Sequence, residues 1–161
     1  MRFFRPVPRV SLAQPSDAHE LAQLYSRCWG AQEELVGVQM RADLSPGPEE
    51  IGSWMGGGFE LYRASLEGRL VGAVRCCFPV STCYLDRLAV EPEQLGRGFG
   101  RYLVEHVLSR ARRAGVTRVW SRASPRLGSA VGLLRDLDFQ ITARQQDERW
   151  DEEMLLLELS L

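Results

Sequence analysis

A mixed α/β fold, one central sheet of about six to seven strands flanked by about four helices, is what the pattern of this chain predicts. Three observations carry it. Between Phe59 and Val90, three strand-like runs follow one another with only short turns between them, and such connections require antiparallel pairing. A helical stretch then separates the third run from the next strand, so those two run parallel. With 161 residues, 45% of them hydrophobic, the chain reads as one domain with a full core, residues 1–161.

The elements follow in order. Arg9 to Ala13 alternates as a short strand, and Pro15-Ser16-Asp17, with Glu20 three residues after Asp17, opens a helix. Leu21, Leu24, Tyr25 and Cys28 form its apolar face, and it ends near Gly30. From Gly30 to Gly58 the pattern weakens, with one short helix from Pro48 to Met55 closed by Gly56 to Gly58. This irregular stretch is the expected place for substrate selection. Strands at Phe59 to Ser65, Arg69 to Pro79 and Ser81 to Val90 come next. The helix Gly98 to Ala114 places Phe99, Leu103, Val104, Val107, Leu108 and Ala111 on one face and stops at Gly115. A strand at Val116 to Arg122, a helix at Pro125 to Leu137 and strands at Phe139 to Ala143 and Glu153 to Leu161 complete the order.

Chemistry concentrates between Leu85 and Leu103, LDRLAVEPEQLGRGFGRYL: a strand, a loop with Gly96, Gly98 and Gly100, and a helix start. A row of backbone N–H groups at a helix N-terminus favours phosphate, and glycines allow close approach and positive φ. A tight strand-to-helix turn would also explain glycines at this spacing. A P-loop needs a lysine after its glycine turn, and this chain has none. A dinucleotide fingerprint fails as well, because the third glycine position falls on Arg101 or Leu103.

The segment resembles the GNAT superfamily of N-acetyltransferases, whose acyl-CoA loop reads [QR]-x-x-G-x-[GA] after a strand ending L-x-V-x-P. Leu88, Val90, Pro92, Gly98 and Gly100 fall at matching spacings, and the element order agrees from end to end. Leu95 stands where the family has Gln or Arg, with Gln94 one residue early. The resemblance implies the GNAT acyl-CoA N-acyltransferase fold and acetyl-CoA as acyl donor without a metal. It also implies direct transfer to a primary amine, on a small molecule or a peptide, in a ternary complex. Cofactor binding is expected at Leu88, Ala89, Val90, Leu95, Gly96, Arg97, Gly98, Phe99, Gly100 and Arg101. In that family the two central parallel strands splay after a bulge, and backbone at the positions of Leu88 to Val90 meets pantetheine and thioester. The family helix N-x-x-A-x-x-x-Y-x-x-x-G-F, aligned on Phe139, gives Leu127, Ala130, Leu134 and Asp138, so the tyrosine that protonates the leaving thiolate is missing.

Asp86 and Tyr84 share a strand face, and a carboxylate acting through water could deprotonate an ammonium, which makes both candidate catalytic residues. A salt bridge from Asp86 to an arginine such as Arg87 or Arg101 is the structural alternative, and Glu60 is a second candidate base. Tyr84 or Ser129 could replace the missing acid. If the acid is simply lost, a non-catalytic acyl-CoA-binding or regulatory domain is the rival reading. A nucleotide-binding protein that uses the loop for NAD or ATP is the third.

The eight arginines from Arg97 to Arg126, against the single acid Glu105, suggest a field for CoA phosphates. The acidic Glu33, Glu34, Asp43, Glu49 and Glu50 suit either a cationic acceptor or a solvated loop. Cys28, Cys76, Cys77 and Cys83 lack metal or redox spacing and read as small buried residues, and His19 and His106 read as structural or surface residues. A net charge of −1 gives no global argument for nucleic acid or membrane, and neither is expected as a partner. Phe3-Phe4 between Arg2 and Arg5 is too short for a signal sequence, and a cytoplasmic protein is expected. The nearly continuous apolar run Met154 to Leu161 suggests burial on both faces or a homodimer.

Overall fold

The computed structural model describes residues 6–30 and 43–161; Arg2, Arg5, Glu33 and Glu34 lie outside them. Strands β1 (Arg9–Leu12), β2 (Glu60–Leu66), β3 (Arg69–Cys77), β4 (Thr82–Val90), β5 (Arg118–Ala123), β6 (Gln140–Asp147) and β7 (Glu152–Ser160) form one sheet. Their order is β1-β2-β3-β4-β5-β7-β6. Neighbours are antiparallel except β4 and β5, the pair joined by a helical crossover. Chain connectivity therefore set strand direction as expected.

Helices α1 (Ala18–Gly30) and α2 (Pro48–Gly56) pack on one face, and α3 (Phe99–Arg113) and α4 (Gly128–Asp136) on the other. The apolar stripe of α3, Phe99 to Ala111, is buried against Val71, Val74, Cys83 and Leu85. Each large side chain there contributes roughly 1.5–3 kcal/mol of transfer free energy. On the opposite face, Leu21, Leu24 and Tyr25 of α1 meet Ile51 and Trp54 of α2 over Leu61 and Ala73.

Two strands differ from expectation. β6 runs to Asp147 rather than ending at Ala143, because an edge strand held by pairing to β7 needs no apolar alternation, and its side chains are nearly all exposed. β7 is apolar because it lies between β5 and β6, with Met154 in one core and Leu155 and Leu157 in the other. Most of its apolar side chains are buried or half-buried within one chain, which accounts for the run without a second subunit.

The decisive irregularity is in β4. Ala73 pairs with Ala89 and Arg75 with Asp86, so two residues, Arg87 and Leu88, oppose Val74 alone. Arg87 takes φ 51°, and the extra residue reverses the alternation. Before it, Cys83 and Leu85 face α3; after it, Leu88 and Val90 do, while Ala89 turns toward α1. The Tyr25 hydroxyl donates to the bulge carbonyl of Arg87 at 2.7 Å. Burial raises this phenol above the ordinary tyrosine value, so it remains a donor. Tyr25→Phe leaves that carbonyl unsatisfied, and thermal melts are expected to show a loss of about 1–3 kcal/mol.

Candidate functional site

Beyond Val90 the chain is anchored before it becomes a loop. Glu91, 5% exposed, donates its N–H to the Val71 carbonyl at 2.8 Å, and its carboxylate accepts from Arg27 at 3.1 and 2.8 Å. A 3-10 turn, Pro92–Gln94, then leads to Gly96 at φ 82° and to Gly98, the N-cap of α3, at φ 81°. Both are left-handed conformations that side-chain-bearing residues adopt at a cost. Tyr102 N–H reaches the Gly98 carbonyl at 3.2 Å as the first bond of the helix, so the N–H groups of Phe99, Gly100 and Arg101 precede the intrahelical ladder.

These groups border a groove of about 400 Å³. Leu88, Ala89, Val90, Leu95, Gly96, Gly98, Phe99, Gly100 and Arg101 all line it; Arg97 does not. The opposite wall comes from Cys28 and Trp29 of α1 and from Ser129, Ala130 and Leu133 of α4. Sequence reasoning did not assign Cys28 and Trp29 to a site, since only the fold brings α1 to the loop. Cys28 Sγ donates to the Val90 carbonyl at 3.3 Å, and burial pushes this thiol up to about 12.

A second cavity opens where the parallel strands part. β4 and β5 pair only at Thr82, Cys83 and Tyr84, the last opposite Trp120, and Ser121 Oγ donates to the Leu85 carbonyl at 2.7 Å. Past this point the β5-facing edge of β4 has no strand partner among the described residues. Tyr84, Asp86, Arg87, Arg122, Leu134 and Trp150 line the space. Trp29, Leu88, Leu127 and Ala130 line both it and the groove, so the two adjoin.

Asp86 lies at this cavity as an ion-pair partner. Arg75, directly opposite on β3, donates to both its oxygens at 2.8 and 2.6 Å, and the guanidinium stacks on Trp54 and Phe59 at 4.4 and 4.1 Å. Of the two arginines considered from sequence, Arg87 reaches Asp86 only at 3.4 Å, and Arg101 instead pairs with Glu105 at 2.9 Å. The β3–β4 register is the signal that finds Arg75. Tyr84 packs on Trp120 with ring centroids 4.4 Å apart. Burial, with the Asp86 charge beside it, holds its phenol above the ordinary range, so at neutral pH Tyr84 is a proton donor and not a base. Glu60 accepts from Tyr62 at 2.8 Å and from Arg110 at 3.2 and 3.3 Å and lines neither space.

Other sequence features resolve differently from their first appearance. The basic stretch meets acids from elsewhere in the fold: Arg110 pairs with Glu60, Arg118 with Glu158, Arg122 with Asp147 and Arg126 with Glu152. Its charge is thus largely matched, and the backbone loop is the stronger anion feature. Asp43 accepts from Arg149 at 2.7 and 2.8 Å, and Glu49 and Glu50 sit in the first turn of α2, where the helix dipole favours them. The Trp150 N–H, assisted by Arg122, holds the Asp147 carboxyl below the usual carboxylate range. In α4, Leu134 is buried, and past the end of that helix Asp138 takes φ 71° at the position where the family motif has glycine.

The sequence profile of the Acetyltransferase (GNAT) family matches residues 18–139. A search of curated proteins finds no match. Among solved structures, the chain resembles the ribosomal-protein-S18-alanine N-acetyltransferase from Escherichia coli, with TM-score 0.77 and 16% identity over 96% of this chain and 94% of that one. It also resembles the PaiA N-acetyltransferase from Thermoplasma acidophilum in complex with coenzyme A, with TM-score 0.81 and 10% identity over 96% and 99% of the two chains. A Salmonella typhimurium protein described as an acetyltransferase, with its cofactor acetyl-CoA, gives TM-score 0.77 and 17% identity over 96% and 94%. At these identities the structures speak for the fold, and the profile match, which takes in the loop, both parting strands and α4, establishes that the chain belongs to the GNAT acetyltransferase family.

Proposed function

We propose that the chain is an acetyl-CoA-dependent N-acetyltransferase that moves an acetyl group to a primary amine by direct attack in a ternary complex. The observation that carries this reading is the adjoining pair of spaces: a groove at the N-terminus of α3 that passes into the cavity between β4 and β5. CoA phosphates lie on the N–H groups around Gly96 and from Gly98 to Arg101, with the Arg101 side chain at their edge, and pantetheine follows Leu88 to Val90. A backbone N–H on the unpaired edge of β4 polarises the thioester carbonyl, a contact that strengthens as charge develops on oxygen.

The amine nitrogen attacks the carbonyl carbon, forming C–N as C–S breaks. Its surplus proton passes through water toward Asp86, and the departing thiolate takes a proton from Tyr84. A proton acceptor reached through water suffices when the cleft lowers the amine's pKa. The protonated, buried Cys28 supports direct transfer over an acyl-cysteine intermediate. We assign the protein to the cytoplasm, on its free cysteines and CoA chemistry. Among the described residues no helix is long and apolar enough to cross a membrane.

The test is CoA-thiol release that depends on added amine. Tyr84→Phe is expected to lower kcat about tenfold to a hundredfold while the acetyl-CoA KM holds. One observation favours a second reading: a buried leucine, Leu134, occupies the family's tyrosine position. Tight acetyl-CoA binding without turnover across a broad amine panel would identify a non-catalytic acyl-CoA sensor instead.

A further inference from the structure

Trp29, Arg87 and Arg122 line the cavity, and each carries a buried nitrogen, Trp29 Nε1, Arg87 Nε and Arg122 Nε, with no hydrogen-bond partner among the described residues. A buried unsatisfied N–H costs about 1–3 kcal/mol, and more on a charged group, so the two guanidinium groups beside this cavity are each short of an acceptor. Charge points the same way. Both oxygens of Asp86 are taken by Arg75, leaving Arg87 a long 3.4 Å contact, and Arg122 gives one Nη2 bond to Asp147 at 3.1 Å. With those two carboxylates matched by Arg75 and Arg122, Arg87 is a positive charge in excess, near the rings of Trp54 and Trp150 at 5.9 and 5.8 Å.

We propose that the acceptor is a small amine bearing a carboxylate close to its amino group, as an α-amino acid does, and that Arg87 and Arg122 bind that carboxylate. The inference rests on the acetyltransferase reading of the same site. A carboxylate supplies several acceptor positions in the geometry guanidinium groups prefer. A bare polyamine would bring more positive charge to a cavity already in surplus. The acidic residues that suggested a cationic acceptor from sequence do not oppose this: Asp43 is ion-paired, and Glu49 and Glu50 lie at the start of α2.

The experiment uses the full chain with saturating acetyl-CoA and compares leucine and phenylalanine with their α-amides and with spermidine. CoA-thiol release is read, and calorimetry measures amino-acid binding to the CoA-loaded protein in parallel. The acids are expected to exceed their amides about tenfold to a hundredfold in kcat/KM or in affinity. Arg87→Gln should erase that preference and leave acetyl-CoA affinity unchanged; Arg122→Gln should reduce it, and serves alone if the first variant does not fold. Amides or spermidine used as well as the acids, or acids that neither bind nor react, would overturn the proposal while leaving the acetyltransferase reading in place. Failure of the unaltered protein to bind acetyl-CoA would overturn both.

Discussion

Valine at position 98 is expected to lower acetyl-CoA affinity by at least about a hundredfold, because it both covers the N–H row and forces a β-branched residue to positive φ. Gly98 sits at φ 81°, and no protein atom lies within 4 Å of where its Cβ would stand. On the proposed binding mode, what that Cβ meets is the ligand. Backbone strain alone, about 1–2 kcal/mol, lowers stability without explaining lost affinity. Gly115 supplies the control: it lies just past the other end of α3 at φ 74°, again with nothing within 4 Å. Gly115→Val should therefore depress the melting temperature comparably and leave acetyl-CoA affinity intact. Equal affinity in the two variants would place the ligand away from the loop.

The second large effect is on stability. Arg75→Met strands Asp86 as a buried, weakly compensated carboxylate, and breaking such a pair costs roughly 3–5 kcal/mol. For a chain of this length that corresponds to a melting temperature lower by about 10 °C. The double variant Arg75→Met with Asp86→Leu should recover most of the loss, because the pair's worth lies largely in not leaving either charge alone. Additive losses in the double variant would mean that each side chain is held by contacts other than its partner. Activity in the double variant should still be impaired, since the through-water proton acceptor is gone.

Strand directions, the stripe of α3 and the glycine loop were legible because connection length, helical period and turn chemistry are local in sequence. The family resemblance implied a bulge, but its place, with Arg87 and Leu88 opposite Val74, was not legible, since a single extra residue leaves no mark on composition and is visible only in the Ala73–Ala89 and Arg75–Asp86 register. That bulge decides which side chains enter the cavity. Asp86 and Tyr84 were found as neighbours because alternation holds up to Asp86, whereas Arg75 was missed because cross-strand pairing is not local. The basic stretch misled for the same reason, its partners Glu60, Asp147, Glu152 and Glu158 being distant in sequence. Trp29 and Arg122, central to the acceptor proposal, carry no sequence motif at all. They matter through unpartnered buried nitrogens that only coordinates reveal.

The most direct test of the central claim is calorimetry of the purified protein with acetyl-CoA, CoA, NAD and ATP in one buffer at one salt concentration. Saturable binding of acetyl-CoA and CoA at micromolar affinity, with none for NAD or ATP, is the predicted result. Binding of NAD or ATP in preference to CoA, or no binding of acetyl-CoA, would contradict it.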